Sequence, residues 1–359
     1  MLKLIRILLS PLTFIYAFII KLRNYLFDKG IFKIKKVNAI VISVGNITVG
    51  GSGKTPTVIF LADLMKKYKI QAGILSRGYR RSSHGYLFVS DGKKIRTTVD
   101  ECGDEMYLIS SETNLPTAVS ERRVEGANRL IKDSSINVII LDDAFQHRWL
   151  HRDLDILIFD QRFLSKVNQI EQKLLPLGMM RESFDSISRA DVVIINRKFA
   201  EKTEIPSRLL KYFNNKKIFY GYYVVSGIYD VKTHNEFSLD EFKGQKSLVV
   251  CGIAKPYSFL SVLENNEIDI TNKMIFPDHK NYTLKEIQSI RKKFYETNAY
   301  SVLTTQKDAV KLTKFSKDLD DIDIYYLKIE LKLENQEDFE ELILNTINKK
   351  DTITTESLT

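Results

Sequence analysis

The chain has 359 residues, of which 44% are hydrophobic and 28% charged, the proportions of a soluble globular protein with room for two domains. Its two cysteines, Cys102 and Cys251, are too few and too far apart for a zinc site or a disulfide framework and fit a reducing compartment. The net charge of +9 is concentrated at the start, where Lys3, Arg6, Lys21, Arg23, Lys29, Lys33, Lys35 and Lys36 face Asp28 alone and hold +7 of it. That basic segment is also the most hydrophobic, so an anionic membrane surface explains it better than nucleic acid, and no nucleic-acid partner is expected.

Between Arg6 and Lys21 lie fourteen uncharged, mostly apolar residues. As a helix they extend about 21 Å, against about 30 Å for a bilayer core, and Pro11 is expected to kink the helix or end its first part. A cleaved signal peptide does not fit, because Lys21, Leu22 and Arg23 follow where small residues would be needed. Residues 1–30 are therefore expected to form an uncleaved helix embedded in one leaflet, with a true span over residues 7–20, its flanking stems snorkelling, as the alternative.

The next segment reads V-I-S-V-G-N-I-T-V-G-G-S-G-K-T-P over residues 41–56. An apolar strand candidate runs into a glycine-rich turn that closes with Gly53-Lys54-Thr55, and a helix-like run follows to residue 68. This is the strand–loop–helix grammar of a phosphate-binding P-loop. Thr48, Val49, Gly50, Gly51, Ser52, Gly53, Lys54 and Thr55 would surround the phosphates. Backbone N–H groups and the helix N-terminus point at negative charge there, Lys54 reaches the β/γ-phosphates, and the Thr55 hydroxyl is suited to Mg²⁺. Thr48 stands where the common pattern has glycine.

Further strand candidates, at 39–44, 71–75, 138–141, 154–159 and 192–195, alternate with helical stretches at 58–68, 105–111 and 124–131. Together they predict an α/β fold with a mostly parallel sheet covered on both faces, over residues 31–216. Residues 218–225 and 228–231 alternate aromatic and β-branched with polar positions, as in a β-ribbon spanning 217–232 between two lobes. A second, smaller α/β lobe is expected over 233–348, with a strand at 247–251, helices at 256–264 and 283–297, strands at 301–303 and 322–327, and a helix at 337–347. Residues 349–359 are polar and expected to fray.

Several constellations carry chemistry. The strand at 138–141 ends in Asp142-Asp143, where a Walker B carboxylate sits. Adjacent aspartates point different ways, so one meets Mg²⁺ and the other its shell or the nucleotide. Gln146 and His147 add an amide and an imidazole at the same strand edge. Gly103-Asp104-Glu105 opens a helix, where two acids suit the helix dipole; the sharper reading is a kinase carboxylate that orients a hydroxyl and takes its proton. Glu105, Asp142 and Asp143 remain alternative direct Mg²⁺ ligands beside Thr55. Arg77 and Tyr79 follow the second strand, Arg122 and Arg123 follow a strand-like 117–119, and Arg181 closes the loop 175–181. Together these suit an anionic substrate head group. In Thr304-Thr305-Gln306-Lys307-Asp308 the acid directly follows the lysine, which does not support a guanine-reading motif.

In order, G-N-I-T-V-G-G-S-G-K-T-P at 45–56, S-R-G-Y at 76–79, G-D-E at 103–105, D-D-A-F-Q-H at 142–147, L-L-P-L-G-M-M-R-E at 174–182, G-I-A-K-P at 252–256, F-P-D-H at 276–279 and T-Q-K-D-A-V-K at 305–311 resemble the motifs of the tetraacyldisaccharide 4'-kinases, the lipid A 4'-kinases of Gram-negative bacteria. The resemblance covers about residues 1–312, and Ala144, Met106 and Gln306 are mild departures from the family pattern. It implies a two-lobed kinase that uses ATP and Mg²⁺ to phosphorylate the 4'-hydroxyl of an acylated glucosamine disaccharide 1-phosphate. The lipid A disaccharide precursor and an anionic membrane surface are the implied partners, at the cytoplasmic face of the inner membrane, with no obligate protein partner. It further implies that Asp104 acts with His279 of the opposite lobe, alongside Lys54 as the third catalytic group. Two other classes stay open at this point: a membrane-attached P-loop ATPase that moves a partner, and a nucleotide-dependent scaffold. Neither needs an Asp104/His279 pair.

Overall fold

The computed structural model describes residues 9–167 and 169–356, with side chains through residue 349. Residues 1–8, with Lys3, Arg6 and the start of the apolar run, lie outside the described residues, as do 357–359 of the expected tail. The first helix, α1 (Ser10–Asp28), carries Pro11 in its first turn, where the missing N–H has no intrahelical partner to lose. Pro11 therefore sits in the opening turn of the described helix. One side of α1 is bare: Leu12, Phe14, Ile15, Phe18, Ile19 and Leu22 are all exposed. The other side is docked. The Tyr16 hydroxyl donates to the Arg181 carbonyl at 2.9 Å, and Arg23 and Asn24 reach the fully buried Glu182 at 3.1 and 2.9 Å. Phe27 packs edge-on against Phe32 and Trp149. Among the described residues no helix is long and apolar enough to cross a membrane.

The strands are β1 (Ile40–Gly45), β2 (Ala72–Ser76), β3 (Leu87–Asp91), β4 (Pro116–Val119), β5 (Val138–Asp142), β6 (Leu154–Asp160), β7 (Val192–Asn196), β8 (Lys217–Asp230), β9 (Glu236–Phe237), β10 (Lys246–Cys251), β11 (Asp269–Ile275), β12 (Ser301–Thr305) and β13 (Ile324–Leu333). They form one mixed, mostly parallel sheet in the order β11-β10-β12-β13-β8-β7-β6-β1-β5-β2-β4-β3, with β9 beside β8. Only β3/β4, β8/β9 and β8/β13 run antiparallel. β1, β2, β5, β6 and β7 are buried along their whole length, as apolar runs covered on both faces should be.

Alternation along β1 divides the core. Ile42 and Val44 face α2 (Lys54–Lys67) and α3 (Asp104–Glu112) through Leu61, Met65, Met106 and Ile109. Val41 faces Leu130 of α4 (Arg123–Ser134). The second half has its own cores, in which α5 (Pro256–Asn265) and α6 (Leu284–Glu296) pack on β10 and β12. A short helix, α7 (Gln306–Leu312), follows β12 directly.

Two departures from expectation have physical causes. The ribbon segments at 218–225 and 228–231 are one strand, β8, and its partner β13 comes from about a hundred residues downstream. The register slips at Ser226, since Val225 pairs with Ile329 and Gly227 with Lys328, a one-residue bulge that produced the break in alternation. The closing helix, α8 (Gln336–Glu356), was expected with the second lobe and a frayed end. Phe339, Ile343 and Ile347, spaced four apart, bury it in the first half's core beside Leu61 and Phe219, and it runs on to Glu356.

The bare face of α1 generates a prediction. Phe14→Asp combined with Phe18→Asp should leave unfolding stability within about 1 kcal/mol of wild type, since exposed substitutions cost little. It should abolish co-flotation with anionic vesicles. Undiminished flotation of the double variant would show that this face is not the anchor.

Candidate active site

Because β1, β2, β5, β6 and β7 are parallel, their carboxyl ends Gly45, Ser76, Asp142, Asp160 and Asn196 gather on one sheet edge, where open α/β sheets place ligands. Facing that edge are the ends of β10 and β12 in the second half. Between them lies a cavity of about 1340 Å³, lined by Lys54, Thr55, Asp142 and Arg181 on one side and by Lys255, His279 and Lys307 on the other.

The loop from Asn46 to Gly53 is tightly braced. Gly50 and Gly53 have φ of 99° and 109°, a region closed to most side chains. A Cβ at Gly53 would also stand 2.8 Å from the Tyr223 hydroxyl. Asn46 donates to the Ser52 hydroxyl at 2.9 Å, Gln146 donates to the Asn46 carbonyl at 2.8 Å, and Lys198 donates to the Gly51 carbonyl at 3.1 Å. Gly50, Gly51, Ser52, Gly53, Lys54 and Thr55 line the cavity. Thr48 does not: it is buried and bridges to Met180. Val49 reaches the cavity, but its N–H is used by the Met179 carbonyl at 2.8 Å.

Lys54 opens α2, with its ammonium 3.6 Å from Asp143. The two aspartates do point apart. Asp142 is 1% exposed; one oxygen accepts from the Ser76 hydroxyl at 2.8 Å, and the other, Oδ1, is buried without a partner. Burial, and then the charges of Glu105 and Asp143, push its pKa up to about 7. Asp143 sits at φ 46° and accepts from Arg181 at 2.9 and 3.0 Å. Burial would raise its pKa, but Lys54 and Arg181 outweigh it and hold the carboxyl below the usual range.

Arg123 lies sealed beneath this pair, donating to the Ser120 carbonyl at 2.6 Å, and its burial lowers the guanidinium pKa to about 10. His147 also lines the cavity; burial, then Arg123, brings it down to about 4, so its ring is neutral. Arg77 and Tyr79 form the exposed rim. Arg122 precedes α4, exposed and outside the cavity lining.

Asp104 begins α3 and is almost buried. From the other half His279 brings Nδ1 to 3.0 Å from Asp104 Oδ2 and 3.2 Å from Oδ1. The Tyr79 ring meets the His279 ring edge-on, with centroids 5.1 Å apart. Burial would raise the Asp104 pKa, but the His279 hydrogen bond and then Lys307 overcome it, leaving the carboxyl at about 2 and ionised at neutral pH. Glu105 is paired with Lys307 at 3.2 Å.

The sequence reading missed Lys307, Asp160, Lys198 and Lys255. Asp160 accepts from Lys198 at 3.0 Å and from Lys255 of the second half at 2.6 Å, a second ionic contact across the cleft. Its signal was available, since Asp160 ends a buried strand just as Asp142 does.

A sequence profile described as Tetraacyldisaccharide-1-P 4'-kinase matches residues 5–348. The tetraacyldisaccharide 4'-kinase of Aquifex aeolicus is 35% identical over 336 residues, covering 93% of this chain and 97% of its own. The chain belongs to the tetraacyldisaccharide 4'-kinase family. Its relative of the same name from Halothermothrix orenii is 35% identical over 95% of this chain and 92% of its own. The fold is likewise similar to a crystal structure of the Aquifex aeolicus LpxK in complex with ATP, with a TM-score of 0.76, 34% identity and coverage of 96% of this chain and 99% of that one.

In this 4'-kinase family member, the elevated Asp142 predicts a measurable linkage. A carboxyl whose folded pKa lies above its unfolded value stabilises the fold below about pH 4 and loses that contribution as pH rises to about 7. Without nucleotide or Mg²⁺, Asp142→Asn should therefore gain in melting temperature relative to wild type between pH 4 and 7. Parallel melting curves across that window would contradict the assignment.

Proposed function

We propose that this chain transfers the γ-phosphate of ATP to the 4'-hydroxyl of an acylated glucosamine disaccharide 1-phosphate. As a member of its family it is an ATP-dependent kinase of lipid A biosynthesis. The observation that carries the mechanism is the Asp104–His279 contact across the cleft, beside Lys54 and Asp142. In this reading the loop 46–55 is a P-loop. The N–H groups near Gly51, Gly53, Lys54 and Thr55 and the start of α2 receive the phosphates, and the Lys54 ammonium, now 3.6 Å from Asp143, neutralises the transferring group.

The residues present also fit Mg²⁺. Among the described residues no group of three or more His, Cys, Asp or Glu gathers to hold a metal alone, and Mg²⁺ characteristically takes one or two carboxylates plus substrate phosphates. The unpartnered Asp142 Oδ1 and the Thr55 hydroxyl would hold it, with Asp143 and Glu105 flanking. Bound there, it would neutralise phosphate charge.

Asp104 orients the acceptor hydroxyl and accepts its proton, while His279 holds the Asp104 carboxylate in place. Arg77, Tyr79, His147 and Arg181 present donors and positive charge to the anionic sugar lipid, and the sealed Arg123 adds positive charge from beneath. Arg122, outside the cavity, has no role in this reading. Arg181 lies directly under α1 through Tyr16, so a lipid drawn from the leaflet would meet the cavity where the anchor is docked. This supports a monotopic enzyme on the cytoplasmic face of the inner membrane, with α1 in one leaflet.

The test is transfer of γ-label from ATP to the lipid disaccharide by the purified full chain in mixed micelles. Label should appear in lipid, and Lys54→Ala should lower kcat by about 10²–10³. ATP hydrolysis without labelled lipid would indicate a partner-driving ATPase and overturn the kinase reading.

A further inference from the structure

We propose that Lys307 is a positioning residue that fixes the tautomer of His279, so that the ring donates its Nδ1–H to Asp104 and serves only as an orienting group. The Lys307 ammonium is 3.0 Å from His279 Nε2. An ammonium has three donors and no acceptor, so Nε2 must be the accepting nitrogen and the ring hydrogen resides on Nδ1. Nδ1 is the atom 3.0 Å from Asp104 Oδ2. The two contacts thus select one tautomer with one orientation.

The surroundings favour a charged lysine. Its ammonium also reaches Glu105 at 3.2 Å and lies 3.9 Å from Asp104. Two carboxylates also stand near Nε2, Glu105 and Asp278, each with an oxygen 3.9 Å away. Arg80 faces the same turn, donating to the His279 carbonyl at 3.3 Å, and the Tyr79 ring closes the side.

The second half holds lysine and histidine on a common frame. The His279 N–H donates to the Gly252 carbonyl at 3.2 Å, and the Gly252 N–H donates to the buried Asp308 at 2.8 Å. Asp308 is next to Lys307 in the first turn of α7, whose start is capped by Thr305. The Lys307–His279 contact is therefore built within one lobe, whereas both residues meet Asp104 and Glu105 across the cleft. The ring arrives with its donor already assigned.

This deepens the kinase reading and rests on it. When the acceptor O–H breaks, the proton forms an O–H on Asp104. It does not pass to His279, because Nδ1 already carries hydrogen and the Nε2 lone pair is occupied by Lys307. Removing Lys307 leaves the Nδ1–H form selected by the Asp104 carboxylate alone, with nothing holding the opposite nitrogen, so the ring can turn away from Asp104 and exchange between tautomers.

The experiment combines ¹⁵N-histidine NMR of the full-length protein with lipid-labelling kinetics. The His279 signals, identified by their loss in His279→Gln, should show a protonated Nδ1 and an unprotonated Nε2. Lys307→Met should lose that single-tautomer signature and lower kcat about 10- to 100-fold, the usual scale for losing an orienting partner, with little change in KM for ATP. Lys307→Gln, which keeps a neutral donor, should retain the tautomer and recover most of kcat. A wild-type Nε2–H tautomer, a Lys307→Met protein that keeps Nδ1–H, or a Lys307→Gln protein as slow as Lys307→Met would each overturn the proposal. If Lys307→Met does not fold, the wild-type and Lys307→Gln spectra and rates still decide. Failure of wild type to label lipid, with the Nδ1–H tautomer present, would instead count against the kinase reading alone.

Discussion

Asp104 and His279 are 175 residues apart in the chain, yet their side chains meet at 3.0 Å across a cleft. No single lobe can build that contact, so the geometry of the cleft depends on how the two halves are joined. The joint is one continuous sheet, in which β8 and β13 form the antiparallel ladder between two parallel blocks. α8 then returns to the first half and buries Phe339 there, so the chain crosses the seam and is fastened back. Asp160 with Lys198 and Lys255 adds a second ionic contact between the halves, and Lys198 also holds the Gly51 carbonyl of the glycine-rich loop. A shift between the halves would therefore reach both the Asp104 carboxylate and the glycine-rich loop.

Charge placement on the first half is the second constraint. Asp142, Asp143, Arg123 and Arg181 are crowded within a few residues of the strand edge, and burial works against the charged form of most of them. Asp143 stays ionised because Lys54 and Arg181 face it, whereas Asp142 has one hydroxyl partner and an orphaned oxygen, and burial raises its pKa. Such an uncompensated buried group is costly in an ordinary core and is characteristic of a site that receives a charged ligand. Docking α1 over Arg181 connects this charge cluster to the apolar face that suits a lipid leaflet.

Much of this was legible in residue order. The glycine-rich loop, the strand-ending Asp142-Asp143 pair and the acid-opened helix at Asp104 are local signals, because each depends on neighbours a few residues away. The mostly parallel sheet followed from short apolar runs separated by amphipathic helices. The Asp104–His279 pairing came only through family resemblance, since nothing local joins positions in two lobes. For the same reason Lys307 and the Asp160–Lys198–Lys255 contact went unseen: their partners are chosen by tertiary approach. Arg122 and Arg123 looked equivalent in sequence, but the start of α4 buries one beneath the aspartates and leaves the other in solvent. The edge strand β11 escaped notice because its half-exposed positions carry Asp269, Thr271, Asn272 and Lys273, which dilute the strand signal.

In the proposed mechanism Asp104 and His279 act as one unit across the cleft. It is tested most directly by a double-mutant cycle on kcat for lipid phosphorylation, using Asp104→Ala, His279→Ala and the pair. Residues that work as a unit are strongly non-additive. The double variant should be little slower than the more damaged single, with ATP binding nearly unchanged throughout. Losses that multiply in the double variant, with His279→Ala acting mainly through KM for lipid, would contradict it.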